Sequence, residues 1–310
     1  MIRAIGGLKE GFSDIGDDLA LCDLDGMKLA AKVDMLVWST DVPKGMKLWQ
    51  VSRKAVAMCV SDFAAKGVRP MACLVSLGLP RGMREEEVEE LASGFGRAKE
   101  EFDVEIVGGD TNESKELVID CAMFGLSEGM VPRGGARVGD RVMVSGPFGY
   151  TSAGLKMIME GMEAEPRFRD RALKSVFMPE PRLELGITLA GKRLMNSSID
   201  SSDGLAISLW ELADKSGVGI ELESLPVGEG VLEFSEMNGL DWEELVLYGG
   251  EEYEIVFTVS EDGVEEAKAL ARELGVELIE IGRVVEGGGV KYRKRGRLEP
   301  VRRDGWIHLR

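Results

Sequence analysis

The chain has 310 residues, with 38 Lys+Arg against 55 Asp+Glu, one His and a formal charge of −17. At 44% hydrophobic and 30% charged it can bury a sizeable core, and its length suggests two domains or one large one. The single histidine (His308) excludes His-clustered zinc sites and argues against a Ser-His-Asp triad; the acidic balance argues against a nucleic-acid binder; and no apolar run approaches the ~20 residues that span a bilayer.

In chain order, Met1–Phe12 has no hydrophobic signal core, and the expectation is a soluble cytoplasmic protein. Leu19–Cys22 and Met27–Val37 read as strands, the second carrying Asp34 among apolar and β-branched residues. Lys47–Lys66 reads as a helix closed by Gly67, and its second half is apolar nearly all round, which predicts burial. Met71–Leu79 is a strand ended by Pro80, and Glu85–Phe102 an amphipathic helix. A short strand, Val104–Val107, is expected to run into Gly108-Gly109-Asp110-Thr111, and Leu117–Gly125 is another strand. Pro132, Gly134, Gly135 and Gly139 mark a boundary, so the expected domains are 1–137 and 138–310.

The second half alternates more regularly. Strands are expected at Arg141–Ser145, Ser198–Asp200, Gly219–Leu222, Tyr253–Val259 and Val276–Val284. Helices are expected near Thr151–Glu160, Arg169–Val176, Arg182–Gly191, Leu205–Ser216, Val231–Met237 and Gly263–Leu274. Both halves are mixed α and β. Lys291–Arg310 carries eight Lys/Arg against two acids and reads as a solvated basic tail. The four cysteines (Cys22, Cys59, Cys73, Cys121) lie far apart without a CxxC and read as buried free thiols of a reducing compartment.

The informative feature is a set of carboxylates at unusual places. Asp17 and Asp18 follow Ile15-Gly16, Asp34 lies inside an apolar strand, and Asp62 lies in the apolar part of a helix. Asp110 follows a strand and two glycines, and Asp200 and Asp203 flank a strand-to-helix turn. An ionised carboxylate in an apolar setting is costly without a cation, and no neighbouring Lys or Arg supply is evident. Mg2+ is the economical partner for all-oxygen ligands, and it points in turn to a phosphate substrate. The bland readings stand beside this one: Asp17 or Asp18 holding a turn, Asp110 a turn acid, Asp203 a helix N-cap. Glycines at strand ends (Gly108-Gly109, Ser145-Gly146-Pro147-Phe148-Gly149, Gly204, Gly249-Gly250) let backbone N–H groups approach phosphate, although turns use glycine anyway. There is no Walker motif, and no GxGxxG follows a strand.

Six motifs occur in one order: Ile15-Gly16-Asp17-Asp18, Val33-Asp34-Met35-Leu36-Val37, Val60-Ser61-Asp62-Phe63-Ala64-Ala65-Lys66-Gly67, Val107-Gly108-Gly109-Asp110-Thr111, Ile199-Asp200-Ser201-Ser202-Asp203-Gly204-Leu205 and Tyr248-Gly249-Gly250-Glu251-Glu252-Tyr253-Glu254. Together they closely resemble the thiamine-monophosphate kinase family, within the superfamily of aminoimidazole ribonucleotide synthetase, selenophosphate synthetase and the hydrogenase maturation protein HypE. The resemblance runs over nearly the whole chain. It implies a two-domain α+β or α/β fold: an N-terminal mixed sheet that pairs into a dimeric barrel, with a C-terminal α/β domain beside it. It implies a homodimer without nucleic-acid or membrane partners, in which ATP and several Mg2+ ions phosphorylate thiamine phosphate to thiamine diphosphate.

Carried over position by position, the resemblance implies metal ligands at Asp18, Asp34, Asp62, Asp110, Asp200 and Asp203. It implies ATP contacts at Gly109, Asp110, Arg133 and Ser202, and substrate contacts at Asp41, Glu251 and Trp306. No catalytic side chain is implied, because the acceptor is already an oxyanion. The chain departs from the family at three places. Lys32 and Val33 stand where bacterial members usually have a Ser/Thr-Thr pair, Asp41 stands for the usual substrate-contacting His, and Glu252 ends the Gly-Gly-Glu-Asp motif. The alternatives are another ATP-dependent enzyme of the superfamily or a non-catalytic ATP-binding scaffold. No reactive Cys lies in a glycine-rich N-terminal segment, as selenophosphate synthetase needs, and the C-terminus lacks the terminal Cys of HypE.

Overall fold

The computed structural model describes residues 12–13 and 16–306; residues 1–11, Ile15 and His308 lie outside them. A first sheet is built from β1 (Phe12–Ser13), β2 (Ala20–Leu24), β3 (Met27–Val37), β4 (Pro70–Pro80), β5 (Glu105–Ser114) and β6 (Val118–Ser127). Its spatial order is β1-β2-β3-β6-β4-β5, with β4 and β5 parallel and the other pairs antiparallel. The accompanying helices are α1 (Trp38–Asp41), α2 (Leu48–Lys66) and α3 (Glu85–Phe102).

A second sheet is built from β7 (Arg141–Val144), β8 (Ser197–Asp200), β9 (Gly219–Leu222), β10 (Ile255–Val259), β11 (Ile279–Val285), β12 (Gly289–Lys294) and β13 (Arg297–Pro300). Its order is β13-β12-β9-β11-β7-β10-β8, with only β12 and β9 parallel among the described strands. Around it lie α4 (Tyr150–Glu160), α5 (Pro166–Phe177), α6 (Leu183–Gly191), α7 (Leu205–Ser216), α8 (Val231–Asn238), α9 (Trp242–Leu247) and α10 (Val264–Glu273). No helix among the described residues is long and apolar enough to cross a membrane.

Helix α2 decides how the halves meet. Its apolar residues alternate with no polar stripe, so it must be covered on all sides. One side packs on Cys121 and Met123 of β6; another belongs to the same core as Leu185 and Leu189 of α6 and Phe257 of β10. Strand β10 is buried at every position, because Ile255, Phe257 and Val259 enter this core while Val256 enters a second one with α4 and α7. Each fully buried residue of the Phe63 type contributes about 1.5–3 kcal/mol, so α2 is a principal source of cohesion between the halves. The helix stops at Gly67, whose φ of 66° is the left-handed cap conformation that only glycine adopts without strain.

The short helices α1 and α9 are not expected from the sequence, and two further stretches differ from its reading. Strand β5 does not stop at Val107 but continues through Gly108-Gly109-Asp110 to Ser114, because it pairs in parallel with β4 over its whole length. The described part of the basic tail keeps most of its side chains in solvent but is built into the second sheet. It forms β12 and β13, and its charges meet acids of the second half: Lys294 with Glu243 at 2.7 Å, Arg302 with Glu244 at 2.7 Å and Arg303 with Asp214 at 2.6 Å.

Candidate active site

Three carboxylates converge where α2 meets the second sheet. Asp62 faces out of α2, Asp200 ends β8, and Asp18 lies just before β2; all three are buried, and one oxygen of each lies within 4.8 Å of the others. Ser61 Oγ donates to Asp200 Oδ2 at 3.1 Å. Burial, followed by repulsion from Asp18, pushes the Asp200 carboxyl up to about 7. Burial and Asp200 push Asp62 well above the usual carboxylate range, against the pull of Lys32. Asp18 behaves differently: burial alone would raise it, but Lys66 and Arg133 together hold it below its ordinary value.

The expectation that these acids lack cations does not hold for Asp18 and Asp62, although no Lys or Arg pairs with Asp200 among the described residues. Lys66 is fully buried at the end of α2 and sits 2.7 Å from Asp17 and 2.9 Å from Asp18, while also donating to the Ser198 carbonyl. Arg133 Nε donates to Asp18 Oδ1 at 3.0 Å, and its backbone N–H donates to Asp17 at 2.9 Å. Lys32 lies 2.9 Å from Asp62 and 3.4 Å from Asp34. These cations lie far in sequence from most of the acids they meet, so local spacing does not reveal them. The signal was nonetheless present: Lys54 and Lys66 interrupt the same all-apolar helix as Asp62, and a buried ammonium needs partners as much as a buried carboxylate does.

The other candidate acids are placed differently. Asp34 pairs in register with Cys121 and so projects onto the α2-covered face of the first sheet, beside Lys32. Asp110 pairs with Ser76, which pairs with Asp120, in a row on the opposite, open face; its side chain is exposed and stands outside the three-carboxylate group. Asp203 is also exposed, in the turn before α7. Gly109 lies where β5 crosses closest to β4: a Cβ there would stand 1.7 Å from the Val75 carbonyl oxygen. This close approach is a structural reason for the glycine.

A second group of candidates meets around Lys54. Its buried ammonium lies 2.6 Å from Glu251 Oε1 and donates to the Asp41 carbonyl at 3.0 Å. The Asp41 carboxylate itself accepts from the Val37 N–H at 2.7 Å, closing the short helix α1. Glu251 has φ 62° and is pinned by its N–H to the Ser202 carbonyl at 2.7 Å. Trp306, about half exposed, donates its N–H to the Asp203 carbonyl at 2.9 Å and stands against Gly250. Thus Asp41, Glu251, Ser202, Asp203 and Trp306 are brought together, and Lys54, which sequence reasoning missed, links the first two.

The loop Ser145–Gly149 is engaged internally. The Gly149 N–H donates to Glu252 at 2.7 Å, and Ser145 Oγ donates to Glu254 at 2.6 Å. Glu254 is further clamped by Arg182 Nε at 2.8 Å. Its glycines therefore serve the Gly250–Glu254 segment, with at least one of their N–H groups taken.

The carboxylate trio fits a hard divalent cation. Its donors are all oxygen, two of the three are pushed towards protonation by burial and then by repulsion within the trio, which a cation would offset, and the neighbouring Ser201 Oγ is buried without a hydrogen-bond partner.

Comparison with known proteins covers most of the chain. The AIR synthase related protein N-terminal domain matches residues 16–127, and the corresponding C-terminal domain matches 137–294. The thiamine-monophosphate kinase of Nitrosopumilus maritimus (strain SCM1) is 41% identical over 91% of this chain and 89% of its own length. That of Pyrococcus abyssi (strain GE5 / Orsay) is 38% identical, over 95% and 90%. A solved structure described as AaThiL complexed with AMPPCP and TMP superposes with a TM-score of 0.84 at 32% identity, covering 95% of this chain and 92% of that one.

Proposed function

Since the chain belongs to the AIR synthase related family, and within it to the thiamine-monophosphate kinases, we infer that it transfers a phosphoryl group from ATP to thiamine phosphate, giving ADP and thiamine diphosphate. The observation that carries this reading is the likeness, over nearly the full length of both chains, to curated kinases of that name and to a structure described with AMPPCP and TMP.

Division of labour follows the two sheets, with the boundary at 137/138. Asp18, Asp62 and Asp200 hold divalent cations, with Asp34 and Asp203 beside them, whereas Asp110 on the opposite face of its sheet stands apart from this group. Such ions, when bound, screen and bridge phosphate oxygens. Lys66 and Arg133 keep Asp18 ionised and fixed, and Ser61 orients Asp200. Gly109, Arg133 and Ser202 contact ATP. Glu251, held by Lys54, faces the positive thiazolium or accepts from the aminopyrimidine, Trp306 stacks on the cationic ring, and Asp41 lines the same end. The acceptor is a phosphate oxyanion, so the chain needs no general base; its task is to bring two anions into line.

The open face of the first sheet supports a homodimer. Val33 and Met35 of β3 and Met71 and Leu74 of β4 are each more than 40% exposed. Val33, Ala122 and Leu74 form one continuous row across three strands. An apolar sheet face of this kind is normally covered, and a second copy of the same face is the cover we propose.

Incubation of the purified chain with ATP, thiamine phosphate and Mg2+ tests the activity by the appearance of thiamine diphosphate. Absence of product, with ATP binding intact, would sink the assignment.

A further inference from the structure

Lys32 stands two residues before Asp34 on β3, and alternation along the strand directs both side chains onto the α2-covered face; their partners across β6, Met123 and Cys121, are both buried. The Lys32 side chain is three-quarters buried, and its ammonium lies 2.9 Å from Asp62 Oδ2 and 3.4 Å from Asp34 Oδ1. Among the described residues no other Lys or Arg bridges to either carboxylate. The other cations of the seam are spent elsewhere: Lys66 and Arg133 on Asp17 and Asp18, and Lys54 on Glu251.

A Mg2+ shared by two carboxylates sits about 2.0–2.1 Å from each ligand oxygen. An ion between Asp34 and Asp62 therefore needs the space in which Lys32 Nζ lies, and its charge would repel the ammonium strongly at that range. On the other side of Asp62, Asp200 has no ion pair with a Lys or Arg among the described residues, and the cations of that side, Lys66 and Arg133, are held by Asp17 and Asp18. We propose that Lys32 is an internal cation that takes the position between Asp34 and Asp62, so that divalent ions enter this chain's acid cluster only on its Asp18/Asp200 side. The proposal rests on the reading that the cluster holds divalent ions. Lys32 is thereby a positioning residue: it orients Asp62 for an ion shared with Asp18 and Asp200, and it lowers by one the number of ions the site takes.

The test counts Mn2+ bound to the nucleotide-free chain, by the loss of the free-ion electron paramagnetic resonance signal, in wild type, Lys32→Ser and Lys32→Arg. Lys32→Ser is expected to bind one more Mn2+ per chain than wild type, and Lys32→Arg the same number as wild type. A second readout needs no bound metal in the native chain. In EDTA, Lys32→Ser melts below wild type because Asp34 and Asp62 lose their counter-ion, and added Mn2+ recovers more of its melting temperature than it adds to wild type. Equal Mn2+ counts in wild type and Lys32→Ser, or an extra ion in Lys32→Arg, overturn the role of Lys32 while leaving the metal-holding cluster intact. A wild type that binds no Mn2+ overturns the cluster reading itself and the Lys32 role with it.

Discussion

Ser61 Oγ donates to Asp200 Oδ2 across 3.1 Å, from the central helix of the first half to the end of a strand in the second. The neighbouring Asp62 belongs to the same carboxylate trio as Asp200. One turn of helix therefore supplies both a carboxylate and the donor that orients another carboxylate across the seam. The site is assembled by packing the halves together, and several consequences can be measured.

Asp62→Asn is expected to fold, because burial and repulsion from Asp200 already disfavour its charge. Its turnover at saturating Mg2+ should fall by more than the ~10–100-fold that follows loss of an outer partner of a metal ligand. Steady-state kinetics alongside a thermal melt check this. Near-wild-type kcat would remove Asp62 from the metal-holding set.

Without metal, stability should depend on pH with a definite sign. The Asp200 carboxyl titrates at about 7 in the folded chain, raised by burial and then by Asp18, and near ~4 when unfolded. Between those values the folded chain keeps a proton that the unfolded chain has lost, so stability falls as pH rises through this window. The slope from this group is at most about 1.4 kcal/mol per pH unit. Asp62 acts in the same direction, and so does Glu252, which burial pushes up to about 8. Urea unfolding from pH 4 to 8 in EDTA should show the decline, and Mg2+ should remove the share due to the carboxylate trio while leaving that of Glu252. A profile identical with and without Mg2+ would contradict the coupling.

Gly109→Ala should destabilise the chain before it weakens ATP binding. A Cβ placed 1.7 Å from the Val75 carbonyl must push β5 away from β4, at a cost of about 3 kcal/mol or more. A melting temperature equal to wild type, together with a raised KM for ATP, would instead make Gly109 a ligand contact without a packing role.

The double variant Val33→Asp, Leu74→Asp places two like charges in the exposed apolar row of the first sheet. Burying them in an interface is costly, so a dimer should become a folded monomer. Light scattering after size exclusion, with circular dichroism as the control for folding, reads the outcome. An unchanged mass would locate any self-association on another face.

Periodicity and punctuation determined most of the local structure. The ranges Met27–Val37, Glu85–Phe102, Leu205–Ser216 and Gly219–Leu222 are the same in the sequence reading and in the fold, because amphipathic period and glycine stops are local properties. The order of the six motifs likewise determined the family and its two-domain architecture. Individual acids were legible as anomalies; Asp62 stood out because its helix has no polar face. Tertiary structure alone decided which anomalies meet. Asp18, Asp62 and Asp200 converge although more than a hundred residues separate the last two, while Asp110, which follows the same kind of glycine signal, is turned to the other face of its sheet by strand alternation. It also decided the counter-ions. Lys32, Lys66 and Arg133 find carboxylates of their own half, Lys54 finds Glu251 across the seam, and the basic tail finds acids of the second half. The physical reason is one of range: helix and strand propensities act over a few residues, whereas a buried charge is satisfied by whatever the folded chain brings within about 4 Å.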